Sequence, residues 1–142
     1  MNGFNFDRII ANLDRVKKTL PKVIGNETQL FFNSSFRNEG WDGNKWQDPK
    51  RKDKKGSSSR LRSQTLVQSG TLRRAVARSL QTATWEKISF EVKDVAYGRV
   101  HNEGLPMKNG QKMPQRQFMG DSKKLREIQL NKIKSAFDKI WA

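Results

Sequence analysis

The sequence predicts an α+β fold in which N-terminal helices and a C-terminal helix pack on a small antiparallel sheet, with a long basic loop between. Three observations predict it. Apolar residues recur at helical spacing over 7–37 and again after Ser122, Ile88, Phe90 and Val92 alternate with polar neighbours, and residues 41–63 lose all periodicity. At 142 residues the chain suits a single domain spanning 1–142.

The first helix follows from Ile9, Ile10, Leu13, Val16 and Leu20, which share one face while Arg8, Asp14, Arg15, Lys17 and Lys18 occupy the other. Pro21 lacks the N–H that a helix interior needs and suits a first turn, so a kink or short break is expected there. A second helix over 21–37 uses Val23, Ile24, Leu30, Phe31 and Phe36, and Gly40 offers a left-handed exit. From Trp41 to about Ser63, Gly43, Asn44, Pro49, Gly56 and three serines interrupt any pattern, which makes a mobile loop the expectation. Gly70 then turns the chain into a short helix over 71–79 that carries Leu72. Strands follow at Thr82 to Trp85 and Ile88 to Lys93, and a short helical or irregular piece from Val95 to His101 feeds Gly104. Asn109-Gly110 suits a two-residue hairpin turn in which both residues take positive φ, and Ser122 caps a last helix with Leu125, Ile128, Ile133, Phe137 and Ile140 on its apolar face.

Composition narrows the function. There is no cysteine and one histidine, so disulfides, thiolate metal sites and Cys/His or paired-histidine chemistry are excluded. No glycine-rich phosphate loop, nucleophile elbow or metal spacing is present, and the expectation is a protein that is not an enzyme and uses no cofactor or metal. No apolar run approaches the ~20 residues of a membrane helix, so a soluble protein assembled in a cytoplasm, with no membrane partner, is expected.

Lys and Arg number 29 against 14 Asp and Glu, a formal net charge of +15. Lys50, Arg51, Lys52, Lys54, Lys55, Arg60 and Arg62 crowd the aperiodic loop and are candidates for contact with DNA or an acidic protein surface. Trp41 and Trp46 lie just ahead of that run in the same loop. Such aromatics stack bases, anchor an interface or pin the loop to the core, and one of them is expected to be pinned.

Two clusters stand out downstream, Tyr97-x-x-x-His101-Asn102-Glu103-Gly104 and Pro114-Gln115-Arg116-Gln117-Phe118-Met119-Gly120. His101 reads as a packed or hydrogen-bonded histidine that fixes the turn into Gly104, Tyr97 as a core aromatic with its hydroxyl satisfied, and Phe118 and Met119 as packing under the last helix. Arg116 either clamps a carboxylate on a neighbouring subunit or pairs within its own domain.

Two further blocks precede these in order: Phe36-x-x-x-Gly40 with Trp46, and Leu66-Val67-Gln68-Ser69-Gly70-Thr71-Leu72-Arg73. The ordered set resembles the phage virion morphogenesis or tail-completion family, which includes the gene G-like proteins of Mu-like phages and is related to head-tail joining proteins. The resemblance implies a structural virion protein at the tail end or head-tail junction, assembled in the bacterial host. Its implied partners are copies of itself in a ring, six being one expected size, together with tail-tube or connector proteins. Structural motif positions under this resemblance are Gly70, Leu72, Tyr97, His101, Gly104, Pro114 and Phe118, and candidate interface positions are Trp41, Trp46 and Arg116. A nonspecific DNA-binding or packaging-associated protein is the alternative that the charge supports.

Overall fold

The structure, a computed structural model, describes residues 3–49, 65–66 and 70–142. The basic positions Lys50, Arg51, Lys52, Lys54, Lys55, Arg60 and Arg62, and most of the expected mobile loop, lie outside the described residues.

A single helix, α1 (Phe6–Asn38), forms the spine of the molecule. Asn5 starts it by accepting the Arg8 N–H on its side chain at 3.1 Å, the usual way to satisfy an orphan donor of the first turn. Val16, Leu20, Ile24, Thr28, Phe32 and Phe36, each four residues from the next, make a continuous buried stripe. The break expected at Pro21 does not occur. Pro21 forfeits the bond to the Lys17 carbonyl, yet it is itself buried between Leu20 and Ile24 in that stripe, and packing along the whole face holds the helix through it. Its left-handed exit is Glu39 (φ 48) rather than Gly40. Gly40 is needed for a different reason: a Cβ there would come within 2.5 Å of the Asn44 carbonyl oxygen.

That close approach belongs to a small hairpin of β1 (Gly40–Trp41) and β2 (Asn44–Lys45), in the opening residues of what the sequence suggests is a loop. Its turn is Asp42-Gly43, with φ of 51 and 87, the paired positive values of a two-residue turn that matches strand twist. A short helix α2 (Thr71–Ala77) follows Gly70 (φ 71) as expected. The second hairpin joins β3 (Leu80–Ala83) to β4 (Ile88–Glu91), in the register Leu80 to Glu91 and Ala83 to Ile88. It starts two residues earlier than the spacing suggests and leaves Trp85 in the turn, half exposed. The sheet layer is therefore two separate two-stranded sheets. Such ribbons are marginal alone, and each rests on α1.

Helix α3 (Ala96–Glu103) ends at Gly104 (φ 65), whose N–H and that of Leu105 both return to the Val100 carbonyl. Asn109-Gly110 does make a turn, but only Gly110 is left-handed. The Met107 carbonyl accepts from Gly110 and Pro106 pairs with Lys112, so the loop is three residues with a bulge rather than two. The last helix, α4 (Lys123–Asp138), is capped by Ser122, whose hydroxyl accepts the Leu125 N–H at 3.3 Å.

Helix α4 runs antiparallel to α1. Gln129 donates to Thr28 Oγ1 at 3.0 Å, Lys132 pairs with Glu27 at 3.3 Å, and Asn12 donates to the Ile140 carbonyl at 3.1 Å. Two core clusters result: Val16, Leu20, Ile24 and Ile140 between the helix ends, and Phe32, Phe36, Trp46, Leu72, Val76, Phe118 and Leu125 under the hairpins. Among the described residues no helix is long and apolar enough to cross a membrane.

Candidate functional site

The residues that the sequence singles out meet around Phe36. Its ring lies 5.9 Å from Trp46 and 5.3 Å from Phe118, and Leu72 is packed in the same cluster at 1% exposure. Residues separated by more than eighty positions thus share one apolar centre, which is why none of the blocks explains itself alone.

The two downstream clusters fold as one unit. The Asn102 side-chain oxygen accepts the N–H groups of Phe118 at 2.9 Å and Met119 at 3.0 Å, while the His101 carbonyl accepts the Arg116 N–H at 2.8 Å. An amide side chain satisfying two successive backbone donors fixes the strandless 114–120 segment against α3 without a sheet. Asn102 thus carries more of the architecture than its neighbours in the motif, and a side-chain amide next to the single histidine is the only sequence signal that hints at it. Gly98 is a second residue of this kind. It is buried against α2 and the core, where an added Cβ would sit 3.1 Å from Leu72 Cδ1 and 3.7 Å from Phe118 Cζ.

The three candidate interface residues are held within the chain to different degrees. Trp46 is 9% exposed, and its indole N–H donates to the Gln117 carbonyl at 2.9 Å, so its contacts are with the subunit's own core. Arg116 is 5% exposed. Its Nε donates to the Gln47 carbonyl at 2.9 Å, so the arginine ties the chain after β2 to the segment bound on α3. Trp41 is only partly buried, with Phe31 and Phe32 at 5.4 and 6.0 Å and its indole N–H on the Asp121 carbonyl at 3.3 Å. One edge faces an open cleft of about 270 Å³ lined also by Phe31, Asp42, Lys45 and Lys124.

Asp42 locks the hairpin to α4. Its carboxylate accepts the Ser122 hydroxyl at 2.7 Å and the Lys124 N–H at 3.3 Å, and the Ser122 bond chiefly holds its pKa below the usual carboxylate value. Asp121 is lowered as well, mainly by the Arg126 guanidinium that it pairs with.

His101 is a packing group. Its Nδ1 is buried without a hydrogen-bond partner, and burial, aided by the nearby Arg116 charge, lowers its pKa. Tyr97 meets the imidazole edge-on at 6.2 Å but is 46% exposed, so it is not the core aromatic that its motif position suggests. Gly98, one position further along α3, takes the inward place, and adjacent helix positions point about 100° apart. Among the described residues no three His, Asp or Glu side chains converge as a metal set would.

These packed blocks coincide with a recognised family. The model of the phage virion morphogenesis family matches residues 5–138, nearly the whole chain. The chain belongs to that family. A search of curated proteins and of solved structures returned no match. Membership gives the protein a structural part in phage particle assembly and associates it with the virion. The match starts at the cap of α1 and ends with the last residue of α4, so the antiparallel helix pair lies inside the family unit together with the packed blocks.

Proposed function

We propose that this virion morphogenesis protein completes the phage tail or joins tail to head, and that it does so as a ring-forming binding protein rather than as an enzyme. The observation that carries the reading is the use made of the family-like blocks. Phe36, Trp46, Leu72, Asn102, Arg116 and Phe118 all serve internal packing and hydrogen bonding, which leaves function to surfaces built on a rigid scaffold. The neighbours in this reading are copies of the same chain, with six as one ring size, and tail-tube or head-tail connector proteins. Identical subunits close a ring through a head-to-tail contact. Trp41 and its cleft, flanked by Lys45 and Lys124, are the candidate contact among the described residues.

The test is complementation. Phage lacking this protein are expected to yield separate heads and tails under the electron microscope, and the wild-type chain is expected to restore joined particles. Normal virion yield without the protein removes the functional reading.

The net charge of +15 favours one second reading, nonspecific contact with DNA. Binding to random duplex would then fall steeply with added salt, because each neutralised phosphate releases counterions, and replacing Lys50, Arg51, Lys52, Lys54 and Lys55 by Gln would flatten the slope. An unchanged slope assigns those lysines and arginine to protein or solvent.

A further inference from the structure

Helices α1 and α4 leave an open furrow of about 540 Å³ along one side of their seam, between Arg15, Thr19 and Val23 on α1 and Lys132, Ser135 and Lys139 on α4. Its rims are cationic and regular. Arg8, Arg15 and Lys22, all exposed, recur every seven residues and so stand in a row along α1 that runs roughly 21 Å. Lys132 and Lys139 repeat the spacing on the facing side of α4. Among the described residues no carboxylate lines the furrow. Glu27 borders one end and is taken by Lys132 at 3.3 Å, while Arg15, Lys22 and Lys139 make no ion pair with a described residue. Asp7 and Asp14 stand one position before Arg8 and Arg15, and Glu127 and Asp138 share a face of α4, so all four are turned about 100° or more from the rims. The floor is apolar. It is made by Val16, Leu20 and Ala136, with Val23 41% exposed and Leu30, seven residues further along α1, 63% exposed.

We infer that this furrow receives an acidic amphipathic segment of a different protein, laid along the α1–α4 seam with its apolar side chains on Val23 and Leu30 and its carboxylates against Arg15, Lys22 and Lys139. Sign and apolarity choose the occupant together. A second copy carries the same net charge of +15 and brings cations to cations. The chain's own 50–62 stretch, with seven Lys and Arg to one Asp, is excluded on the same ground. Duplex DNA has the right sign but the wrong shape. It is far wider than the ~8–10 Å between packed helix axes, so its phosphates would rest on the rims and leave the apolar floor wet. An apolar strip edged by cations is what a helix with one apolar and one acidic face complements. The furrow shares no residue with the cleft at Trp41, so this contact and the ring contact can fail independently.

Fluorescence anisotropy with labelled peptides of about 20 residues, long enough as helices to span ~30 Å, tests this on the full chain. One peptide carries Leu along one face with Glu on both sides of it, and a second carries Lys in place of every Glu. The wild type is expected to bind the Glu peptide and not the Lys peptide. Arg15→Glu with Lys139→Glu is expected to weaken the Glu peptide by about tenfold or more and to shift preference towards the Lys peptide, a reversal that indiscriminate apolar sticking would not show. Val23→Ser with Leu30→Ser is expected to weaken binding by about the same factor, with circular dichroism confirming that both variants melt as the wild type does. Failure of the wild type to bind, equal binding of the two peptides, or affinity indifferent to these changes overturns the inference. So does random duplex DNA whose binding is abolished by the Arg15 and Lys139 reversal while that of the Glu peptide is unaffected, which assigns the furrow to nucleic acid.

Discussion

At the level of single residues, chain position and chemistry gave the packing of Phe118 but not that of Trp46. Phe118 precedes a capped amphipathic helix, so burial beneath it follows from local pattern; Trp46 is buried by Phe36 and Phe118, which no local window contains. Tyr97 escaped for a related reason, since the inward position on its short helix belongs to a glycine. His101 is the only histidine of the chain, which gives an unusually clean experiment. Burial lowers its pKa in the folded state, so the unfolded chain binds the proton more readily. The neutral ring's contribution is therefore present above the unfolded value of ~6.5 and lost as pH falls from there through the lower folded value. Thermal unfolding between about pH 8 and pH 5 is expected to show a decline that His101→Phe flattens. Asn102→Ala is expected to cost roughly 2–4 kcal/mol in urea unfolding, because the Phe118 and Met119 N–H groups lose their acceptor, whereas Asn102→Asp keeps it and costs less.

The elements show where local signals win and where they are overruled. Ser122 places the start of α4, although Ile140, expected on its apolar face, lies two residues past its end, and Gly70 and Gly104 mark the ends of short helices, because caps are local chemistry. Pro21 is overruled. A proline inside a helix costs ~3 kcal/mol, and here a stripe of buried side chains on both sides of it holds the register. Pro21→Ala is accordingly expected to raise the melting temperature, since the restored hydrogen bond outweighs the lost ring contacts; a lower value would show that the proline geometry is itself required. The Asp42-Gly43 hairpin was hidden because strands of two residues cannot display alternation, and their glycine-rich surroundings read as loop. For α3, Gly98→Val is expected to destabilise by about 1–3 kcal/mol, the new methyls forcing the helix away from Leu72 and Phe118.

For the molecule as a whole, α+β architecture and family were readable because the blocks stand in order along the chain, while the exposure of Ile10, Leu13 and Phe137 was not, since helical spacing puts them on apolar faces without saying which part of a face is covered. Phe118→Ala and Trp46→Ala are each expected to lower stability by ~3–5 kcal/mol in denaturant unfolding, which separates a scaffold from an interface that binds only when assembled. The antiparallel pairing of α1 and α4 also sets a timetable. Thr28 meets Gln129 across 101 positions and Asn12 meets Ile140 across 128. Closing such a loop costs roughly 4 kcal/mol of chain entropy before any contact rewards it, so this layer forms late. On the ribosome, Val16, Leu20 and Ile24 emerge with their partner Ile140 still unmade. A prematurely terminated chain therefore exposes its apolar stripe to chaperones and proteases and lacks the joined helix ends, so translation must run to the end of α4 before a subunit is fit to enter a particle.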